Sequence, residues 1–147
     1  MTAQNDPNRL VGTTLGSRFE ITSCIAFDEA GARYEATDGE LASAATVRVL
    51  HRIRPDDASL RRLLQLLTEV SNLALPGIKP LRAVGRTRTQ DVYYATDEVV
   101  GKSLAQRLDQ GALRAEEAVE AMSEAAEILG RAHTHGVVHG ALHPGAV

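Results

Sequence analysis

The feature that most constrains the fold is a pair of alternating runs between residues 18 and 38. Apolar and polar residues alternate along each run, and a period of two residues is typical of half-buried β-strands. Between the runs, residues 28–31 are of the kind that favours a turn. The stretch therefore predicts a β-hairpin.

Three later runs extend this hairpin. Residues 45–50 are rich in β-branched side chains, and residues 81–85 and 91–96 flank a polar turn. Such runs bounded by turn-forming residues indicate strands. Together they predict an antiparallel sheet of about five strands.

Two segments have helical periodicity, which places the chain in the α+β class. The first begins with Asp57 or Ser59 as its N-cap and presents a leucine-rich face that should pack on the sheet: Leu60, Leu63, Leu64, Leu67 and Val70. The second covers residues 115–134 and ends at Gly136. Its predicted apolar face consists of Val119, Met122, Ala125, Ala126, Leu129, Ala132 and His133.

Composition narrows the classes of protein. The chain has 147 residues, 44% of them hydrophobic, and a formal net charge of −3, which argues against nucleic-acid binding. Cys24 has no second cysteine to pair with, and the polar first dozen residues lack the apolar core of a signal peptide. No apolar run is long enough for a membrane span. A cytoplasmic protein that contacts neither membrane nor nucleic acid is expected.

Residues 136–147 resemble the catalytic loop of the protein kinases, where a glycine and two apolar residues precede H-R-D-L-K-P-x-N. The matching residues shape the loop: His139, Leu142, Pro144 and Val147. Arg, Asp, Lys and Asn of the pattern are replaced, in order, by Gly140, Ala141, His143 and Ala146. The segment should keep the shape of the loop without its catalytic side chains, with His139 and Leu142 as packing residues.

The rest of the chain resembles bacterial Ser/Thr protein kinases in the same order. The hairpin is similar to R-Y-x-I and V-Y-x-A-x-D around a glycine-rich loop, and residues 45–50 are similar to V-A-I-K-V-L. Residues 75–78 resemble H-P-N-I, and residues 97–104 resemble the hinge. The resemblance implies a truncated protein-kinase-like fold: a flexible lead-in at 1–14, a small lobe at 15–100, and the hinge exit and start of the large lobe at 101–147.

The same resemblance implies a degenerate nucleotide pocket. Its positions are Ala26, Gly31, Thr46, Arg48, Thr96, Glu98 and Val99. Thr96 falls at the gatekeeper position, and Arg48 replaces the lysine that holds the α and β phosphates. Because hinge contacts to adenine come from backbone groups, the adenine slot could outlast catalysis. No resident cofactor is expected, and residual binding of ATP is left open.

The acidic turn beside this pocket and the arginine within it keep alternative interpretations. Asp28 and Glu29 put carboxylates where a polyphosphate would lie, so the turn is either an ordinary acidic turn or a loop that still covers a nucleotide. Arg48 is either a solvent-facing strand residue or a phosphate ligand. The helix glutamate that pairs with the strand lysine falls near Leu66, one turn before Glu69, so that ion pair is expected to be lost.

Catalysis by the kinase route is not expected. Ala141 has no group that could position a substrate hydroxyl, an effect worth roughly 10²–10⁴-fold. Ala146 removes the amide that holds a magnesium ion, and no D-F-G segment follows it in the sequence. Glycines and Pro144 interrupt any helix through four neighbouring histidines, so no metal site is expected at His133, His135, His139 and His143.

The predicted function is that of a non-catalytic, pseudokinase-like module in regulation or protein interaction. A protein partner or a second copy should cover Val119, Met122 and Leu129, because each such side chain left in water forgoes roughly 1.5–3 kcal/mol. Two alternatives are a nucleotide-binding sensor without phosphotransfer and the N-terminal fragment of a longer Ser/Thr kinase-like protein.

Overall fold

The computed structural model describes residues 6–29, 31–51, 56–98, 100–140 and 142–147. Internal contacts divide the chain into two units, Met1–Asn72 with Lys79–Val99, and Leu73–Ile78 with Val100–Val147. The strands are β1 Thr14–Leu15, β2 Phe19–Phe27, β3 Gly31–Asp38, β4 Ser43–Leu50, β5 Leu81–Arg86 and β6 Val92–Asp97. The helices are α1 Asp57–Asn72, α2 Leu104–Leu108 and α3 Ala115–Thr134, and a 3₁₀ turn spans Pro144–Ala146.

The first unit is built on one antiparallel sheet. Within the described residues it has six strands in the order β1-β2-β3-β4-β6-β5, one more than expected because β1 pairs with the start of β2. The predicted hairpin is confirmed: the Asp28 N–H donates to the Gly31 carbonyl over 2.9 Å, and the Gly31 N–H donates to Asp28 Oδ1 over 2.9 Å. Side-chain and backbone groups of Asp28 therefore both close the turn.

One face of this sheet holds the hydrophobic core. Its buried residues are Leu15, Phe19, Ile21, Ala32, Tyr34, Ala36, Ala45, Val47, Val49, Tyr93 and Ala95. Because strand side chains alternate between the two faces, Arg33, Thr46 and Arg48 point to the opposite face, which we call the site face.

Residues 6–13 are not the loose lead-in that was expected. Asp6 accepts a 2.6 Å bond from the hydroxyl of the buried Tyr34, and Leu10 packs against the core. The Gly12 N–H donates to the Ile21 carbonyl over 2.8 Å, and the Ile21 N–H donates to the Thr13 carbonyl over 2.9 Å. The segment is held because a buried hydroxyl and the edge of β2 both need hydrogen-bond partners.

Helix α1 runs antiparallel to β5. Arg86 pairs with Asp57 over 3.2 Å at one end, and the Leu81 N–H donates to Ser71 Oγ over 3.0 Å at the other. The predicted leucine-rich face is the half-buried one, although none of the described residues of this helix is fully buried. The capping side chain is Asp56, one residue earlier than expected, because its carboxylate accepts the Ser59 N–H over 2.7 Å.

The second unit consists of α2, α3 and the segments around them. A capping box between Ser103 and Gln106 starts α2. Gly136 has φ +74° just beyond the end of α3, which confirms the predicted stop. The turn at residues 73–78 lies against α3, where a methyl group on Gly77 would collide with Ile128.

Helix α3 has two neighbouring apolar faces, where the sequence predicted one. The covered face is lined by Ala118, Ala121, Ala125, Ile128 and Ala132. The second face, which we call the α3 stripe, consists of Val119, Met122, Ala126 and Leu129. Val119 is 67% and Met122 48% exposed, whereas Leu129 is half-buried. Small alanine side chains face inward because they allow close approach of the neighbouring segments.

Among the described residues, no helix is both long enough and apolar enough to span a membrane.

Candidate functional site

Strand pairing brings Ala26 and Arg48 into one row of the site face. Arg33 of β3 lies opposite Ala26 of β2 on one side and opposite Arg48 of β4 on the other. Tyr94 of β6 continues the row beyond Arg48. Directly opposed residues of an antiparallel pair point to the same face, so these four side chains share one surface.

A second row contains the other two pocket residues on this face. Thr46 lies between Glu35 of β3 and Thr96 of β6. Thr46 is only 6% exposed, and the Thr96 hydroxyl donates to the Asp97 carbonyl over 3.1 Å. The structure therefore has Ala26, Thr46, Arg48 and Thr96 on one face of the sheet.

Arg48 pairs with a carboxylate of the β2–β3 turn rather than with one of helix α1. Arg48 Nη2 lies 3.9 Å from Asp28 Oδ2, and the Arg48 side chain is 33% exposed. Glu69 instead accepts a 2.9 Å bond from Gln65 of its own helix. A turn carboxylate thus approaches the arginine that stands at the strand-lysine position of the kinase pattern.

Arg33 also lies on this face, although it was not among the predicted pocket residues. It is half-buried and, among the described residues, has neither an ion pair nor a side-chain hydrogen bond. The signal was available, because the pattern V-Y-x-A-x-D places an apolar valine where this chain has Arg33. Two arginines therefore oppose each other at the centre of the site face.

The other predicted pocket residues have different surroundings. Gly31 is buried, and a Cβ atom there would collide with the carbonyl oxygen of Val49, so close strand packing is sufficient to require glycine. Glu98 is exposed, and Val99 lies outside the described residues.

A buried ion network sits at one end of the sheet. Arg18 donates to both carboxylate oxygens of Asp38 over 2.8 and 2.7 Å, and Arg82 Nη1 lies 3.3 Å from the same group. Arg82 also pairs with Asp97 over 2.8 Å. The bond from Arg18 is the main reason why the pKa of Asp38 lies well below its usual range. The network joins residues of β3, β5 and β6 to the residue before β2, and so fixes the strands that carry the site face.

In the second unit, the catalytic-loop segment is held by its backbone. The Val137 N–H donates to the Ala132 carbonyl over 3.0 Å, and the Leu104 N–H donates to the Val147 carbonyl over 2.8 Å. His139 and Leu142, which were expected to pack, are exposed. The expectation that they are buried by packing was therefore wrong, and the two backbone bonds hold the ends of the segment.

The replaced positions of this segment differ in how far the structure describes them. His143 Nδ1 accepts the Gly145 N–H over 3.1 Å at the 3₁₀ turn that contains Ala146, and Ala141 lies outside the described residues. His135 Nδ1 lies 2.9 Å from the Arg131 carbonyl oxygen. Within the described part of the chain, no three His, Cys, Asp or Glu side chains are grouped as metal ligands would be.

The fold defined by this sheet, the helix beside it and the helices that follow is protein-kinase-like. The kinase domain of PknI from Mycobacterium tuberculosis matches 91% of this chain with a TM-score of 0.76 and 22% identity. A point mutant of the same kinase domain matches the same share with a TM-score of 0.78. The match covers 54% and 55% of those two domains, respectively.

Sequence comparison leads to the same class. A probable serine/threonine-protein kinase of Clostridium perfringens is 27% identical over 88% of this chain, and probable PknB of Lactococcus lactis is 27% identical over 91%. The chain is thus homologous to bacterial Ser/Thr protein kinases over about nine-tenths of its length. It spans only 19% and 22% of the length of these relatives, and about half of the PknI kinase domain. No protein-family model matches the chain.

Proposed function

We propose that this chain is a catalytically inactive, protein-kinase-like module that acts through protein contacts. The observation that carries the proposal is the chemistry of the catalytic-loop segment. Gly140, Ala141 and Ala146 stand where the kinase pattern has Arg, Asp and Asn. Their side chains can neither position a substrate hydroxyl nor bind a magnesium ion.

Phosphate transfer tests the inactive state directly. We expect no transfer from radiolabelled ATP with magnesium to the chain itself or to casein above the level of a heat-denatured sample. The Arg48→Ala variant is the control, because it removes the one cation at the strand-lysine position. Transfer by the unaltered chain that Arg48→Ala abolishes would overturn the proposal.

The α3 stripe is the surface through which such a module would act. Covering Val119 or Met122 would contribute roughly 1.5–3 kcal/mol each, scaled by their exposed fractions of 67% and 48%. Leu129, already half-buried, lies at the inner edge of the stripe. The stripe is continuous along one side of the helix, as a surface for another helix requires.

The charges beside the stripe indicate the chemistry of the partner. Glu116, Glu120 and Glu127 lie along one edge of it by helical spacing, and all three are exposed. Glu127 lies 3.9 Å from Arg131 Nη1, so its charge is partly compensated. In an antiparallel pair of two copies this edge would meet itself, and carboxylates would oppose carboxylates. A partner helix with an apolar centre and lysine or arginine flanks fits the surface instead.

Two synthetic helical peptides test this choice. Both carry a leucine stripe, one flanked by lysines and the other by glutamates. We expect the lysine-flanked peptide to bind at least about tenfold more tightly, and Met122→Glu to weaken its binding. Leu66→Glu is the matched control, because Leu66 is a similarly exposed apolar residue of the other unit. Equal binding of both peptides would contradict the proposed charge complementarity.

Light scattering tests whether a second copy of the chain covers the α3 stripe instead. We expect a monomer over a wide range of concentrations when no peptide is present. A dimer that Met122→Glu dissociates would replace the basic partner with self-association.

A nucleotide-binding sensor without phosphotransfer is the second candidate function. The observation that favours it is the shared face of Ala26, Thr46, Arg48 and Thr96. A thermal-shift titration with ATP, with and without magnesium, tests it. The absence of any shift at millimolar ATP would leave only the interaction module.

A further inference from the structure

The pairing of Arg33 with Arg48 is unfavourable in the chain alone. Directly opposed residues of an antiparallel pair have Cβ atoms about 4.5–5.5 Å apart, and like charges at such positions destabilise a sheet. Both side chains are half-buried, so water screens them less than it would on an open surface. A negative charge close to both guanidinium groups would therefore relieve this repulsion.

The described carboxylates beside this pair compensate it only in part. Asp28 is 64% exposed, and its carboxylate lies 3.9 Å from Arg48. Glu35 is the next acidic side chain on the site face, but it is exposed, so water screens its charge, and its carboxylate accepts a 2.6 Å bond from Ser23 Oγ. Arg33 itself has no ion pair within the described part of the chain.

We propose that Arg33 and Arg48 form a metal-independent binding site for a chain of linked phosphates. Guanidinium groups present planar pairs of N–H donors that match phosphate oxygens, and two such groups supply the positive charge that magnesium otherwise supplies. Ala146 stands at the position of the metal-binding amide, so a site that needs no metal is consistent with the loop. The phosphates come from a nucleotide or from a free polyphosphate. Only the nucleotide source rests on the proposed nucleotide-sensor function.

Asp28 acts as the competitor of this anion. Its carboxylate must leave Arg48 before phosphate oxygens can take its place. Asparagine at this position keeps an oxygen for the Gly31 N–H bond that closes the turn and removes the charge. The Asp28→Asn variant should therefore bind polyphosphate more tightly without losing the hairpin.

Thermal unfolding of the 147-residue chain in EDTA tests the site. Tripolyphosphate and ATP are each expected to raise the unfolding midpoint, adenosine is not, and added salt should weaken both effects. Equal affinities for the two ligands would identify the phosphate chain as the whole ligand, whereas clearly tighter ATP would identify a nucleotide. If neither ligand raises the midpoint without metal, the proposal is overturned.

Three variants assign the effect to particular residues. Arg33→Val, which introduces the residue of the kinase pattern, should weaken tripolyphosphate binding about 10- to 100-fold. Asp28→Asn should strengthen it. Arg88→Ala, which removes an exposed arginine from the β5–β6 turn, is the control and should leave it unchanged. Unaltered binding by Arg33→Val, or equal losses in Arg33→Val and Arg88→Ala, would refute the two-arginine site.

Unfolding without ligand separates loss of the site from loss of the fold. Arg33→Val should raise the midpoint, because the like-charge opposition disappears and valine favours strands. A lower midpoint would contradict the opposition on which the site depends. Failure of the site would leave the α3 stripe as a partner surface untouched, because the stripe belongs to the other unit.

Discussion

Asp38 shows how a single side chain holds the first unit together. Its carboxylate is fully buried and receives bonds from Arg18, from Arg82 and from the Glu40 N–H. A buried charge is tolerated only when its hydrogen-bonding capacity is filled, and removal of one member leaves the others uncompensated. This residue should therefore dominate the response of the unit to acid.

We expect Asp38→Asn to lower the urea midpoint at neutral pH and to flatten its acid dependence. The bond from Arg18 depresses the folded-state pKa of Asp38 below the ordinary value near 3.9. Its contribution to stability is therefore fully present above about pH 4 and is lost as the pH falls through the folded pKa. Urea unfolding from about pH 7 downward measures this.

Asp97→Asn provides the comparison for that variant. Asp97 pairs with Arg82 but is 44% exposed, so its replacement should have a smaller effect. Parallel acid-dependence curves for the unaltered chain and Asp38→Asn would contradict the role given to Asp38.

The sequence indicated the positions of some site residues but not all of their contacts. The resemblance implied one pocket for Thr46 and Arg48, and the structure has both side chains on one face because residues two apart in a strand point the same way. The sequence did not predict that Arg48 approaches Asp28, since that contact depends on how the turn folds back. Gly31 resembled a phosphate-loop glycine, yet the carbonyl of Val49 alone explains why no side chain fits there.

At the scale of elements, periodicity fixed where α3 begins and ends but not which side it buries. The observed bounds, Ala115–Thr134, are those predicted. The sequence predicted one apolar face without saying which side is buried, because alanines and larger apolar residues form two adjacent stripes that a helical pattern alone does not rank. The contact between Ile128 and the turn at Gly77 selects the inward face.

Gly77→Ala should destabilise the second unit by about 1–3 kcal/mol. Gly77 has φ +87°, and its added methyl group would collide with Ile128. Gly130→Ala is the matched control, because nothing lies within 4 Å of its added Cβ and alanine favours a helix by about 0.5–1 kcal/mol. Urea unfolding, followed by the helical circular dichroism signal, should show shifts of opposite sign; equal shifts would contradict the packing described for the turn.

For the whole molecule, the order of segments was more informative than any one motif. The hairpin, the next strand, both main helices and the last two strands lie where the sequence predicted them. The insertion of β6 between β4 and β5 does not follow from alternation, because the β4–β6 pairs join residues far apart in the sequence. Strand β1 escaped prediction because two residues are too few to show a period.

That long-range pairing should divide the sheet into early and late parts during folding. Strands β2, β3 and β4 pair across short turns, whereas β6 reaches β4 only after α1 and β5. Loop-closure entropy makes such pairings slower. Ala36→Gly in β3 should therefore slow folding, and Ala95→Gly in β6 should mainly speed unfolding. Stopped-flow kinetics measures both, and equal effects on folding rate would contradict this order.

The same topology has a consequence during protein synthesis. At about 5–20 residues per second, β4 leaves the ribosome a few seconds before β6 does. During that interval the side of β4 that later pairs with β6 has no strand beside it, and such an edge can pair with other nascent chains. Arg48 stands in the middle of that edge, and a charge there discourages aggregation. The residue that we assign to an anion in the finished fold thus also protects the chain while it is being made.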